Sequence, residues 1–170
     1  MPRLVLTVIG DDRAGLVSAL SAVVSDHGGN WEQSQLAELA GKFAGIVVVS
    51  VDAEGIADLT AALSTLDEML EVTPHPGNEA AGTDEERQRL TLDLLGTDRP
   101  GIVREVTAVL SRHDLSIETI ATTTRDAPMA GGVLFEAQVV VQVPSGSDTE
   151  RLRAELEKLA GELFVDITVA

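Results

Sequence analysis

Two short segments of the chain carry residue types that suit the binding of a small zwitterion. GDDRAG (residues 10–15) and GTDRPG (residues 96–101) each place an aspartate in a glycine-bracketed turn ahead of a helix-periodic stretch. A helix N-terminus exposes unpaired N–H groups and a positive dipole end, which attract a carboxylate. Asp12 and Asp98 offer carboxylates to an ammonium group. A purely structural alternative stays open, in which Gly10 and Gly96 supply an unusual φ, aspartate caps the helix, and nothing binds.

Histidines recur behind these turns, in HGGNW (residues 27–31) and HDLSI (residues 113–117). His27 and His113 fall where a helix ends, and a cation there complements the helix dipole. His75 is the only other histidine, so we expect this structural role rather than catalysis or metal binding.

The same two segments open the second strand of each half. Asn30 and Ser116 are predicted to lie beside the first turn and to donate to a ligand carboxylate. Trp31, the sole tryptophan, is predicted to pack in the core or an interface rather than to stack on a ligand.

Nothing in the chain predicts catalysis. The glycine-rich turns lack the Lys-Ser/Thr of a phosphate loop, neither fits GxGxxG, and no G-x-S-x-G segment is present. Without cysteine there are no disulfides, thiolate metal sites or thiol nucleophiles. We therefore predict no catalytic residue, no metal and no cofactor.

An internal repeat organises these segments. Residues 4–31 align without gaps to residues 90–117, and 11 of the 28 positions are identical. The chain is a duplication, and the repeat should be recognised before any fold is assigned.

Each half changes its hydrophobic period several times. Residues 3–9 and 90–95 are apolar runs that predict strands, and the stretches after the turns have helical spacing. Pro100 is expected in the first helical turn, where its missing N–H is harmless. In residues 135–143 the apolar Phe135, Ala137, Val139, Val141 and Val143 lie opposite Glu136, Gln138 and Gln142, as in a strand with one buried face. Residues 43–51 are apolar on both faces, so a covered second face is anticipated.

A second helix and a closing strand complete each half. The predicted order is β-α-β-β-α-β twice, an α+β ferredoxin-like arrangement with four antiparallel strands and both helices on one face. We expect domains at residues 1–76 and 89–170. The charged, Gly- and Pro-rich segment at 77–88 is the expected linker.

The charge excludes one large class of partner. The chain carries 28 acidic and 12 basic residues, a net charge of −16. Duplex DNA and anionic membranes are bound by neutralising phosphates with Lys and Arg, so direct nucleic-acid or membrane binding is not expected. No signal peptide or membrane span is recognisable, and a cytoplasmic protein is expected.

The GTDRPGIV segment before a helix, within a βαββαβ unit, resembles the ACT domain, a small-molecule sensor attached to many amino-acid enzymes. APMAGGVLFEAQVVVQVP (residues 127–144) and FAGIVVVSV (residues 43–51) resemble the glycine cleavage system transcriptional repressor family, which consists of two ACT domains. This resemblance covers essentially the whole chain.

The resemblance implies a non-enzymatic regulator that senses a small amino acid, glycine or similar, and acts by protein contact, as with a DNA-binding regulator. The ligand would sit between adjacent modules, held by the first turn and the start of the second strand. The ligand-binding residues it implies are Asp12, Ala14, Gly15, Leu16, Val17 and Asn30, with Asp98, Pro100, Gly101, Ile102, Val103 and Ser116. Ala14 replaces the motif's proline and Ser116 a common asparagine, which predicts unequal sites, the second being better.

Two rival functions are a trans-acting regulatory subunit of an amino-acid metabolic enzyme and an assembly module without a ligand. Self-association, most simply as a homodimer, is expected from the apolar residues 43–51.

Overall fold

The computed structural model describes residues 1–78, 87–129, 131–163 and 165–170. The chain divides into two compact units after residue 82. The predicted linker, 77–88, lies largely outside the described residues, and its bounds remain a prediction. Among the described residues, no helix combines the length and apolar content needed to cross a bilayer.

The two units have the same order of elements. The first contains β1 (Arg3–Asp11), α1 (Leu16–Asp26), β2 (Asn30–Leu39), β3 (Lys42–Ser50), α2 (Ile56–Leu63) and β4 (Glu71–Pro76), with single 3-10 turns flanking α2 at Ala53–Gly55 and Ser64–Leu66. The second contains β5 (Gln88–Thr97), α3 (Ile102–Arg112), β6 (Ser116–Asp126), β7 (Val133–Val143), α4 (Thr149–Leu163) and β8 (Val165–Val169).

Each unit folds into one four-stranded antiparallel sheet. The strand orders are β2-β3-β1-β4 and β6-β7-β5-β8, and every pairing is antiparallel. The predicted α+β ferredoxin-like fold is confirmed.

Alternation along the central strands builds each core. In β1, Leu4, Leu6 and Val8 are buried, and they pack with Leu16 and Leu20 of α1 in one cluster. A separate cluster fills the second unit. The predicted buried face of β7 is confirmed at every position: Phe135, Ala137, Val139, Val141 and Val143.

The two faces of β3 differ in burial. Val47 and Val49 are buried, but Ile46 on the opposite face is 48% exposed, while Ala44 and Val48 are partly exposed. The expected covering of this second face remains a prediction.

Strand direction decides what the sheet brings together. β1 and β2 run in the same direction, because both are antiparallel to β3. Asn30 pairs with Ser50, which pairs with Arg3 at the start of β1, whereas Lys42 pairs with Asp11 at its end. The second unit repeats this arrangement. The start of the second strand and the turn after the first strand thus lie at opposite ends of each sheet.

Candidate functional site

The two βα turns share one backbone conformation. Gly15 has φ 91° and ψ 0°, and Gly101 has φ 95° and ψ −3°. Both glycines are the N-cap residues of their helices, and within these described turns no side chain caps either helix. The structural alternative in which Asp12 and Asp98 cap the helices is therefore wrong. The positive φ that it assigned to Gly10 and Gly96 falls at Gly15 and Gly101 instead.

The glycines are required by the backbone itself. A φ near 90° disfavours every residue with a Cβ. No heavy atom lies within 4 Å of the place where a Cβ on Gly15 would stand. A ligand is thus not needed to explain why glycine occupies these positions.

Pro100 lies outside the helix, which corrects the expected placement. Helix α3 begins at Ile102, so Pro100 precedes the N-cap. The φ and ψ of Gly101 are those of the third residue of a type II turn, a turn in which proline is common at the preceding position because its ring presets φ. Proline therefore stiffens the turn rather than the first helical turn.

Each turn is tied by its backbone to the hairpin that follows. The Asp12 N–H donates to Gly41 O at 2.9 Å, and the Asp98 N–H donates to Val133 O at 2.8 Å. The helix then starts with the Ala19 N–H donating to Gly15 O at 2.9 Å. In each helix, three residues lie between the N-cap glycine and the first residue whose N–H donates an intrahelical hydrogen bond. The N–H groups of these three residues have no intrahelical acceptor.

These three positions are Leu16, Val17 and Ser18 in the first domain, and Ile102, Val103 and Arg104 in the second. They are the donors available to an anion at each turn. The aspartate N–H groups, used by the hairpins, are not.

Apolar side chains flank both turns. Leu16 and Ile102 are buried, but Val17 and Val103 are 43% and 42% exposed. These two valines follow directly after the buried position and lie at the edge of the buried helix face. In the second domain Val103 borders a narrow apolar crevice between α3 and the sheet, whose lining includes Leu94, Ile120 and Phe135.

The charges around the two turns differ. Lys42, at the hairpin tip, forms an ion pair with Asp11, and this hydrogen-bonded contact lowers the pKa of Asp11. In the second domain Arg99 lies 3.5 Å from Glu105, and a Glu105 oxygen comes within 3.6 Å of where a Cβ on Gly101 would stand. The first turn therefore has its extra carboxylate balanced by lysine, while the second has a glutamate beside its helix N-terminus.

Asn30 and Ser116 do open β2 and β6, but they are not beside the turns. They lie at the other end of the sheet, about nine residues along β1, which is roughly 30 Å at the rise of a strand. Asn30 and Ser116 were expected beside the turns, but β2 and β6 run parallel to β1 and β5 and begin at the end of the sheet where β1 and β5 begin. Of the predicted ligand-binding residues, each domain brings together only those of its turn and first helical turn.

The histidines also lie at the end of each domain opposite the turn. The His27 Nδ1–H donates to Val23 O at 2.8 Å, at the C-terminus of α1. His113 Nε2 lies 3.1 Å from Glu155 of α4. His113 is the first cause of the lowered pKa of Glu155, through its hydrogen bond. Both contacts are structural, and Trp31 packs partly buried against the first core.

Sequence reasoning missed the roles of Lys42 and Glu105. Lys42 reaches Asp11 only through the strand register, which spacing along the chain does not reveal. Glu105 lies four residues after Gly101, one helical turn on, so its position was available in the sequence. Among the described residues, no group of three or more His, Asp or Glu is placed to hold a metal ion.

Two proteins of known sequence are similar to this chain. The chain is 25% identical over 167 residues to the glycine cleavage system transcriptional repressor of Escherichia coli, which covers 94% of this chain and 85% of that protein. It is 36% identical over 83 residues to a UPF0237 protein of Methanopyrus kandleri, covering 48% of this chain and 84% of that one.

Solved structures extend the similarity across the chain. A protein of unknown function from Galdieria sulphuraria is 30% identical, with a TM-score of 0.88 over 99% of this chain and 96% of that one. A protein provisionally named as a glycine cleavage system transcriptional repressor is 17% identical, with a TM-score of 0.72 over the same shares, and shows the fold alone. The sequence profile of the ACT domain matches residues 2–75 and 88–170. The chain therefore belongs to the ACT domain family and carries two copies of that domain in tandem.

Proposed function

We propose that this protein is a non-enzymatic regulator that senses a small amino acid through its ACT domains and acts by contact with another protein. The observation that carries the proposal is the duplicated turn. In both domains a glycine N-cap leaves the first N–H groups of the helix available beside an exposed aspartate. The similarity to a glycine cleavage repressor supports a transcriptional role of that kind.

The turn has the groups that an α-amino acid requires. The ligand carboxylate would accept hydrogen bonds from the free N–H groups at the start of α1 or α3. Its ammonium would face Asp12 or Asp98, and a short side chain would lie against Val17 or Val103. Glycine has five heavy atoms, and at a ceiling of ~1.5 kcal/mol per atom its affinity is micromolar or weaker.

Asn30 and Ser116 take part only if they come from a different module. An amino acid is far shorter than the sheet, so one ligand contacts either the turn or the strand start of a given domain. This agrees with the family's placement of ligands between adjacent modules. The proposal rests on the turn alone.

The proposal that the protein is not an enzyme rests on the distance between the histidines and the turn. His27 and His113 lie at the opposite end of each domain from the turn and are engaged in structural contacts. The histidines are therefore too far away to act as a general base on a ligand at the turn, and Asp12 and Asp98 would be engaged by the ligand's ammonium. The net charge of −16 further favours a protein partner over DNA, as for a cytoplasmic antagonist of a DNA-binding regulator.

The test is a thermal-shift panel of the twenty amino acids, followed by calorimetry with any amino acid that raises the melting temperature. The amide of that amino acid, which lacks the carboxylate, and its N-acetyl form, which lacks the ammonium, are the matched controls. Binding by the free amino acid and by neither control supports the proposal. A panel without any shift leaves the assembly-module function as the better account.

A regulatory subunit of an amino-acid enzyme is the second candidate, since ACT domains serve that role in the family. Co-purification of tagged protein distinguishes the two. A DNA-binding protein among the partners supports the first function, and a metabolic enzyme supports the second.

A further inference from the structure

The crevice between helix α3 and the edge strand β6 has walls of one chemical kind. It is lined by nine residues, namely Leu94, Ile102, Val103, Val106, Thr107, Ile120, Phe135, Ala137 and Val139. All of them are apolar except Thr107, whose hydroxyl donates to Val103 O at 2.8 Å and is thus used by the helix itself. The crevice therefore suits an apolar group, since a polar group would lose its hydrogen bonds to water on entering.

The crevice begins at the second turn. Ile102 and Val103 are the first two residues of α3, and they carry two of the three N–H groups that have no intrahelical acceptor. Phe135 pairs with Gly96, the first residue of the turn segment. From there the crevice follows α3 for about one helical turn, as far as Thr107. An amino acid held by these N–H groups would have this crevice as the apolar space next to its α-carbon.

Two half-exposed side chains stand at the crevice. Ile120 pairs with the buried Val139 and so lies on the helix side of the sheet, yet it is 44% exposed. Val103 of α3 is 42% exposed. A small apolar group placed between them would remove apolar surface of both side chains from water, which is favourable.

The first domain has larger side chains at the corresponding positions. Leu20 stands where the second domain has Val106, and Leu36 stands where it has Thr122. Leu36 packs against the first core, whereas Thr122 is exposed. The two leucines leave less room between α1 and β2, so the side chains, and not the fold, decide how much space is open beside each turn.

We propose that the crevice receives the side chain of the amino acid bound at the second turn, and that it selects alanine over glycine and over larger amino acids. This inference rests on the proposed function, because it needs an amino acid at the turn. The crevice has a volume of about 10 Å³, close to the space of one water-sized group. Glycine leaves it empty, alanine fills it with a methyl group, serine brings a hydroxyl into it, and leucine exceeds it.

The experiment is calorimetry of the full chain with these four amino acids. Burial of one methyl group corresponds to about a fourfold gain in affinity, so alanine should bind about fourfold more tightly than glycine. Serine should bind no more tightly than glycine, because its hydroxyl has to be desolvated. Leucine should bind more weakly than alanine.

Variants of the crevice test its part in this order. Val106→Leu adds a methylene group to its wall, as Leu20 does in the first domain, and should lower the affinity for alanine to that for glycine. Val109→Leu makes the same change at a buried position of α3 that does not line the crevice, and it should keep the preference for alanine. Circular dichroism with thermal melting checks that each variant is folded.

Ile120→Ala covers the case in which Val106→Leu does not fold because its core is overpacked. It widens the crevice at an exposed strand and should shift the preference from alanine toward leucine.

The inference is overturned if alanine binds no more tightly than glycine, if serine binds as tightly as alanine, or if a folded Val106→Leu prefers alanine as strongly as the wild type does. Any of these results leaves the proposed function standing as long as glycine binds. If none of the four amino acids gives heat or raises the melting temperature, the proposed function fails together with the inference.

Discussion

The two βα turns have the same backbone but different surroundings. Gly15 and Gly101 agree in φ within a few degrees, although the residue before each differs, Ala14 in one and Pro100 in the other. The charges differ more: a lysine balances Asp11 in the first, and Glu105 stands beside the second. The fold thus dictates the turn geometry, and any preference for a ligand has to come from the side chains around it.

This difference changes the basis of the prediction that the second turn binds better. Repulsion of a ligand carboxylate by Asp11 is weakened by Lys42. Glu105, by contrast, competes for the positive end of the α3 dipole. Pro100 still favours the second turn, because a stiff turn loses less entropy when it is ordered around a ligand. The two effects oppose each other, and substitution separates them.

The largest effect is expected from a Cβ at the N-cap glycines. Gly15→Val and Gly101→Val both force a branched residue to a φ near 90°, so each should lower the free energy of unfolding by about 1–2 kcal/mol. Gly101→Val should also abolish amino-acid binding, and Gly15→Val should weaken it less. Urea unfolding and calorimetry measure the two effects. If both variants stay folded and titrate like the wild type, the turns are structural only.

Exchanging the residue before each glycine comes next. Ala14→Pro should raise the free energy of unfolding of the first domain by about 0.4–1 kcal/mol, because proline restricts the unfolded chain. Pro100→Ala should lower that of the second by a similar amount. Chemical denaturation measures both changes. The two substitutions should change the free energy of unfolding in opposite directions. A destabilising Ala14→Pro would show that the backbone at residue 14 does not suit the φ that proline imposes.

A smaller effect should follow from removing the carboxylate beside the second turn. Glu105→Ala recreates the first domain, which has Ala19 at that position, and should tighten amino-acid binding about two- to fivefold, since a charge at a helix terminus is worth ~0.3–1 kcal/mol. Glu150→Ala, in the first turn of α4, is the control for loss of the same charge away from the ligand. If Glu105→Ala and Glu150→Ala bind the amino acid with equal affinity, Glu105 does not account for any difference between the two turns.

The smallest effect concerns the first turn and pH. Lys42 lowers the pKa of Asp11, so the pair stabilises the folded state at neutral pH. This stabilisation is lost as the pH falls through the lowered pKa, because Asp11 is then protonated. The melting temperature of Lys42→Met should lie slightly below that of the wild type at pH 7 and meet it in acid. Lys158→Met, which removes the same charge elsewhere, should show no such convergence.

Much of the fold was predictable because its signals are local and occur twice. Alternation at Phe135, Ala137 and Val139 predicted a strand with one buried face, and helical spacing after Gly15 and Gly101 predicted α1 and α3. The candidate site was predictable only in part. The glycine turn was recognised, but a Gly, Asp or Pro before a helix does not identify which residue is the N-cap.

The incorrect and missing predictions concerned contacts that depend on how the strands are directed and paired. Asn30 was expected near the turn because it follows the helix that the turn begins, yet that helix carries the chain to the other end of the sheet. Lys42 contacts Asp11 across 31 positions of sequence, and only the register of β1 with β3 brings them together. Local sequence patterns reveal neither the separation of Asn30 from the turn nor the proximity of Lys42 to Asp11.

The hydrogen bonds from Asp12 to Gly41 and from Asp98 to Val133 have a consequence for the timing of motions in each domain. An amide proton that is locked to the hairpin exchanges with solvent only when the hairpin tip separates from the turn. The exchange rates of these two amides therefore report how often the tips open. A ligand that orders the turn should slow that exchange, even where the average structure of the hairpin is unchanged.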